Sequence, residues 1–438
     1  MSSVSDHPLH RLPKYGDGIG LHRVRFLMAA CGLDTAEISQ RAVAVTGSNG
    51  KGSTARIVSE LLRESGGTVG LFTSPHLYRY NERFRIDGEP IGDAALTAAM
   101  DEVLHAVEAY RAGHADAVGA FEAQFVVALA AFRTSRWLVL EAGIGGRYDP
   151  VRCAEAQVAC LVSLDLEHTE LLGKTLLEIA YDKLDATARG GTAILGESCL
   201  PFAEQIRSYA ELSDIAIEFV SPAQWRDHGV KDDFQRFDLG KMINLHSRLI
   251  GRHQINNHAV ATALVRERLK RSGQWPNTGI EDRWREAIAN VIWPGRLETI
   301  SHDPHVVIDV GHTPEGIKAA LAGFRAIAGK QQALLVTGGS KNKHVREMLE
   351  LLAPSFDRIV CTAAHHNGLD AAEVEFLVRQ IHPRAQTFLC SAIPEAATVA
   401  RSLAVRSDHA IYVAGGLFLA AEFAEAWRGG DPTALRFF

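Results

Sequence analysis

Short apolar, β-branched runs recur along the chain, separated by longer stretches with helical spacing. This alternation constrains the fold more than any other feature, because strands joined by helices build a parallel sheet covered on both faces. In the first part strands are predicted at 42–46, 69–73, 137–141, 159–164 and 192–195, with helices at 53–64, 93–110, 121–132 and 175–188. A helix at 256–271 follows, then a polar segment bearing Gly and Pro, then a break at Pro294-Gly295. A second alternation begins there, with strands predicted at 306–310, 333–337, 358–362, 386–389 and 410–414. The reading is an α/β protein of two units, a larger one over residues 1–297 and a smaller one over 298–438. Loops at the carboxyl ends of parallel strands are where such sheets bind ligands, so the loops are where function is sought.

Composition removes several function classes. A chain of 438 residues with 47% hydrophobic and 22% charged side chains is globular, and a net charge of −6 argues against a broad basic face for nucleic acid. No segment approaches the ~20 consecutive apolar residues of a membrane span. The first twenty residues, MSSVSDHPLHRLPKYGDGIG, lack an apolar core and a cleavage pattern, so no secretory signal is visible. Six cysteines (31, 153, 160, 199, 361 and 390) show no CxxC spacing. Reduced core thiols in a cytoplasmic protein are the expectation, and a zinc site is not.

The stretch AVAVTGSNGKGST, residues 42–54, carries the chemistry. An apolar strand runs into glycines and a lysine, and a helical pattern starts at once. Gly47, Gly50 and Gly52 let the backbone turn tightly and present N–H groups to phosphate oxygens, aided by the helix N-terminus. Ser48 and Asn49 complete the loop, Lys51 can reach the outer phosphates, and Ser53 or Thr54 can bond a phosphate or approach a metal. The string departs from G-x-x-x-x-G-K-[ST], because Gly52 stands between the lysine and the hydroxyl. A bare glycine-rich turn is the alternative, but the strand–loop–helix setting favours ATP.

This variant loop resembles that of the ATP-dependent Mur-type amide ligases, and within them the bifunctional dihydrofolate synthase/folylpolyglutamate synthases. The likeness continues through YGDGIGLHRVRFLMAACGL (15–33), FTSPHLYRYNERFRIDGEPI (72–91), the pair Phe121-Glu122 and LEAGIGGRYD (140–149). It extends over LDLEHTELLGKTLLEIAYDK (164–183), GRHQINN (251–257), WPGRLE (293–298), DVGHTP (309–314) and YVAGGLFL (412–419). The resemblance implies a P-loop-containing Mur-ligase-type central domain with a smaller, Rossmann-like C-terminal α/β domain. It also implies a ligation in which ATP converts a carboxylate to an acyl phosphate that an amino acid amine attacks. By the same resemblance two Mg²⁺ ions are implied, with Ser74, Glu141 and His168 as metal ligands and Lys183 as the family lysine whose carbamylated amine holds the second ion. Asn257, Arg296 and Asp309 hold the nucleotide, Phe121, Glu122 and Arg147 face the substrates, and His312 keeps the family's histidine. The implied partners are small molecules, a dihydropteroate- or folate-type acid and L-glutamate, acted on by a monomer.

Departures cluster on the substrate side. DVGHTP stands where the family has DGAHNP, GGRYDPVR where it has GGRLDATN, and Asp185 where it has glycine. Gly119 replaces the threonine two residues before Phe121. These changes leave open a second reading, a paralogous ligase that joins an amino acid to a non-folate acid. Two further classes compete: a nucleotide-binding regulator with vestigial ligase machinery, and a dinucleotide-binding oxidoreductase. Retention of Lys51, Glu141, His168, Lys183 and Arg296 together argues against the first. Absence of G-x-G-x-x-G after the first strand argues against the second.

Overall fold

The computed structural model describes residues 4–275, 279–341 and 345–437. Its largest sheet has eight strands, in the spatial order Glu89–Pro90, Phe84–Ile86, Val69–Phe72, Trp137–Glu141, Ala42–Thr46, Val158–Leu161, Thr192–Leu195 and Ala216–Phe219. From Val69–Phe72 onward the pairings are parallel, and the two short strands at the other edge are antiparallel. Each central strand feeds two cores. Ala42 and Ala44 pack on one face while Val43 and Val45 pack on the other, and Leu138 and Leu140 alternate in the same way with Trp137 and Val139. Side chains alternate every residue along a strand, so a strand buried on both faces is apolar along most of its length, with polar residues such as Thr46 and Glu141 left to its carboxyl end.

The helices Leu21–Ala30, Asp93–Gly113 and Ala120–Ala131 cover one face. Lys51–Ser65, Arg252–Arg271 and Ile280–Asn290 cover the other, together with an antiparallel three-stranded sheet of Trp225–Lys231, Phe234–Leu239 and Met242–Ser247. That small sheet and the edge strand Ala216–Phe219 carry no alternation strong enough to predict them, since Trp225–Lys231 is largely solvated. The helix Ile280–Asn290 falls in the segment read as polar linker.

A six-stranded sheet begins at Glu298, in the order Glu298–His302, His305–Asp309, Ala410–Ala414, Ala333–Thr337, Arg358–Cys361 and Gln386–Leu389. Its first pair is antiparallel and the rest are parallel. All five strands predicted in this part are present, within a residue at each end. All six cysteines are buried and free. Among the described residues no helix is long and apolar enough to cross a membrane.

The helix Arg252–Arg271 runs through the interior and brings polar groups with it. His258 is fully buried, stacked on Phe237 at 5.2 Å, with Nε2 and the Ser247 hydroxyl 3.0 Å apart. Burial alone holds its pKa down, at about 3 against the ordinary 6.5. The unfolded chain therefore binds a proton below pH 6.5 that the native fold refuses, and stability falls as pH drops from there toward 3. His258→Gln, which keeps a partner for Ser247, is expected to remove roughly 2 kcal/mol of the stability lost between pH 7 and pH 5. Urea unfolding at the two pH values measures this.

Candidate active site

Four parallel strands end side by side, and their carboxyl ends hold the site. Val69–Phe72 leads to Ser74, Trp137–Glu141 ends on Glu141, Ala42–Thr46 enters the glycine loop, and Val158–Leu161 leads to Glu167 and His168. Because the strands are neighbours in one sheet, residues far apart in sequence meet within one loop layer.

The loop itself is tightly braced. Gly50 caps the helix Lys51–Ser65 in the left-handed region (φ 81°), and a Cβ there would lie 2.8 Å from the Asn257 side chain. Glycine is required both by the backbone angle and by this close approach. Ser48 and Asn49 face inward: the Ser48 N–H donates to Ser163 O at 2.9 Å, its hydroxyl pairs with the Asp165 backbone, and the Asn49 N–H donates to the Ser163 hydroxyl at 2.8 Å. These contacts brace the loop against the segment that follows the strand Val158–Leu161. Lys51 Nζ donates to Gly47 O at 2.8 Å, so the amine folds back over the cradle. Gly52 lies against the Trp293 ring, Ser53 is buried behind it, and the buried Thr54 hydroxyl has no partner.

Around Lys51 the charges are balanced in a dry setting. Glu141 is buried and accepts the Ser74 N–H at 3.0 Å. Burial pushes its pKa up to about 7, against the pull of Lys51, Arg296 and Arg83. Lys183, also buried, pairs through Nζ with Glu167 Oε1 at 2.7 Å. Burial and the nearby Lys51 charge hold the Lys183 pKa below the usual lysine value. For Glu167 burial acts upward, yet Lys51 and Lys183 outweigh it and the pKa is lowered. Glu167 had no place in the sequence reading; its position beside His168 in LEHTE was the only available signal. His168 itself sits in the left-handed region (φ 44°) and starts a short turn of helix.

The turn GIGGR is held by two carboxylates. Asp149 accepts the N–H groups of Gly143, Ile144 and Val151, and Asp182 accepts that of Gly146 at 2.8 Å. Burial raises the Asp149 pKa to about 6. The Arg147 guanidinium meets Asp185 at 2.6 Å and the Tyr209 hydroxyl at 2.9 Å, so the residue standing in place of glycine is what orients it. The Phe121 ring lies directly under Gly143. Glu122 is committed elsewhere: Arg23, completely buried, grips both its oxygens at 2.7 and 2.8 Å, and Gly119 N–H adds a third bond. This bidentate pair ties the segment beginning YGDGIG to the helix Ala120–Ala131.

The later residues close the site. Asp309 Oδ2 accepts the Leu297 N–H at 3.1 Å and Oδ1 the Gly311 N–H at 2.7 Å, so this carboxylate joins WPGRLE to DVGHTP. Arg296, held beside that pin, has a buried Nε without a partner and bears electrostatically on Glu141. Asn257 Nδ2 donates to Gln254 at 2.8 Å against the glycine loop. The His312 ring nitrogen Nδ1 is 3.4 Å from Val310 O. Thr313 caps the helix Pro314–Ala328 and donates to Asn49 Oδ1 at 3.2 Å, a direct link from the second sheet's loops to the phosphate cradle.

The donor set suits a nucleotide with magnesium. An orphaned Arg296 Nε, a glycine cradle and Lys51 offer charge and N–H donors to phosphate, and Ser74 with Glu141 offers hard oxygens of the kind Mg²⁺ takes with water and phosphate. Among the described residues no three His, Cys, Asp or Glu side chains gather as a ready-made cage.

Comparison with known proteins agrees with this geometry. Residues 45–265 match the Mur ligase middle domain and residues 295–417 the Mur ligase, glutamate ligase domain. A folylpolyglutamate synthase of Lacticaseibacillus casei is 32% identical over 435 residues, 97% of each chain. A dihydrofolate synthase/folylpolyglutamate synthase of Escherichia coli (strain K12) is 30% identical over 351 residues, 78% of this chain and 77% of that one. Crystal structures of Mycobacterium tuberculosis folylpolyglutamate synthase complexed with ADP and AMPPCP superpose with a TM-score of 0.82 at 26% identity, covering 97% of each chain.

Removing the Asp309 carboxylate strands two buried N–H donors at about 1–3 kcal/mol each. Asp309→Ala is therefore expected to lower unfolding stability by at least about 2 kcal/mol and to weaken nucleotide binding through Arg296. Urea denaturation and nucleotide titration of the same variant measure both.

Proposed function

The chain belongs to the Mur ligase family, and from that premise we propose that it is an ATP-dependent, ADP-forming amide ligase that joins L-glutamate to a pteroate or folate. The observation that carries the reading is the cluster at the strand ends, where Lys183 pairs with Glu167 at 2.7 Å, Lys51 bears electrostatically on Glu141, Glu167 and Lys183, and Arg296 bears on Glu141. Two anions, the acid's carboxylate and the terminal phosphate, must meet for an acyl phosphate to form. The chain supplies cations to offset their repulsion: Lys51 at the loop, Arg296 from the later segment and Arg147 beside the GIGGR turn. Relatives of similar length bear the names folylpolyglutamate synthase and dihydrofolate synthase/folylpolyglutamate synthase, and the Mycobacterium tuberculosis folylpolyglutamate synthase forms complexes with ADP and AMPPCP.

Within this reading Ser74, Glu141 and His168 hold Mg²⁺, which when bound screens phosphate charge and polarises the transferred group. Lys183 is the site of carbamylation. Its burial favours the neutral amine that this modification needs. Asn257, Arg296 and Asp309 frame the nucleotide, Asp309 acting through the backbone it pins. Phe121 and Arg147 face the acid, and His312 lies next to the loop that carries Thr313. The division into residues 1–297 and 298–438 belongs to the same reading and is supported by the start of the second sheet at Glu298. So does a cytoplasmic monomer, supported by six buried free thiols.

The departures at DVGHTP and GGRYDPVR favour one specific alternative, ligation of a non-folate acid. A phosphate-release screen of dihydropteroate, tetrahydrofolate and unrelated carboxylic acids, each with a panel of amino acids, separates the two. Turnover with a pteroate or folate and L-glutamate is expected, and turnover with another acid alone would overturn the folate assignment. Lys51→Ala is expected to cut ADP release at least about a hundredfold with an unchanged melting curve. Lys183→Ala is expected to lose activity that short carboxylic acids partly restore.

A further inference from the structure

Residues 431–437 leave the second sheet's layer and cross to the Ser74 loop. Phe437 is almost completely buried, its ring parallel to that of His76 (centroids 6.3 Å apart, 7° between planes) and edge-on to His366 and Phe418 at 4.9 and 4.8 Å. His76 is 2.5 Å from Arg436 O through Nε2, while its Nδ1 accepts from Arg83 Nε at 2.8 Å. With Nδ1 an acceptor, Nε2 carries the proton and donates to Arg436 O. Arg83 spends its other donors on Gln124 Oε1 at 3.0 Å and Phe437 O at 3.3 Å. Among the described residues the guanidinium is thus buried with three neutral hydrogen-bond acceptors, two of which depend on this segment or on the histidine it holds. Leu77, the next residue, is buried in the same apolar cluster as Leu419, Leu435 and Phe437. The N–H groups of Leu77, Tyr78 and Arg79 all donate to Glu82, which closes the stretch Leu77–Glu82 on itself three residues after Ser74.

We propose that the segment 435–437 is a positioning strap: by holding His76, Leu77 and Arg83 it sets where Ser74 presents itself to the metal, and so couples the second unit to the metal side of the site. The segment touches no reacting group itself; it acts through Ser74. The proposal rests on the ligase reading only for the metal, since the strap itself is visible without any ligand. A competing occupant of the same contacts is a plug, in which the carbonyls and ring of this segment block a substrate's place.

Two measurements on Phe437→Ala and Phe437→Leu in the full chain decide it. Hydrogen exchange of the ligand-free protein is expected to rise in Phe437→Ala over residues 74–83 and to stay unchanged in the helix Lys51–Ser65. Phe437→Leu, which keeps most of the apolar volume, restores protection. In ligase assays the Mg²⁺ concentration for half-maximal rate is expected to rise roughly tenfold in Phe437→Ala, with kcat recovered at saturating Mg²⁺. Unchanged exchange over 74–83, or a uniform rise across the chain, overturns the strap. Altered exchange with unaltered Mg²⁺ dependence overturns its link to the metal, and faster turnover in Phe437→Ala replaces it with the plug. Because the exchange arm needs no turnover, failure of the ligase reading leaves it decisive.

Discussion

Glu141 and Lys183 are buried at the strand ends, and Lys51 bears electrostatically on both of them and on Glu167. Burial pushes Glu141 upward and Lys183 downward in pKa, while Lys51 pulls both carboxylates back toward ionisation. Isolated charges in such a setting neutralise; a balanced set stays charged and remains responsive to an incoming ion. The rest of the structure serves this balance. The parallel sheet brings four strand ends together, and helices on both faces exclude the water that would otherwise screen the charges.

Around those charges the fold relies on polar pins in place of preformed ligand contacts. Asp149 and Asp182 hold the GIGGR turn, Asp309 joins two distant loops, and Glu122 with Arg23 anchors the N-terminal segment. Each is a buried carboxylate that satisfies backbone donors or a guanidinium, so each repays its desolvation locally. Four of the positions that carry family motifs therefore shape the site from behind it. The second unit reaches the site by two routes, Thr313 on Asn49 and the segment 435–437 on His76 and Arg83. The threonine in DVGHTP both caps its helix and donates across the cleft, so this departure from the family motif keeps a hydrogen-bonding role.

Legibility followed the physics of each element. The strands at 42–46, 137–141 and 410–414 were plain because both faces are buried and all but their last residues, Thr46 and Glu141 in the first two, are apolar or aromatic. The edge strand at 216–219 and the hairpin sheet at 225–247 escaped notice because their burial is partial and depends on what packs beside them. The glycine loop was readable because turn, cradle and lysine are adjacent in sequence. Glu167, Arg83, His76 and Asp149 were not, since their importance comes from partners tens or hundreds of residues away.

What the sequence by itself determined is the α/β alternation, the phosphate loop and the set of residue types the chemistry needs, all of which depend on local pattern. What only the tertiary structure decided is which partners within the fold engage each of those side chains. Glu122 and Asp309 show the difference: their carboxylates are spent on Arg23 and on backbone N–H groups. A side chain's task is set by the partner that satisfies its charge, and that partner is chosen by the folding of distant segments onto one another.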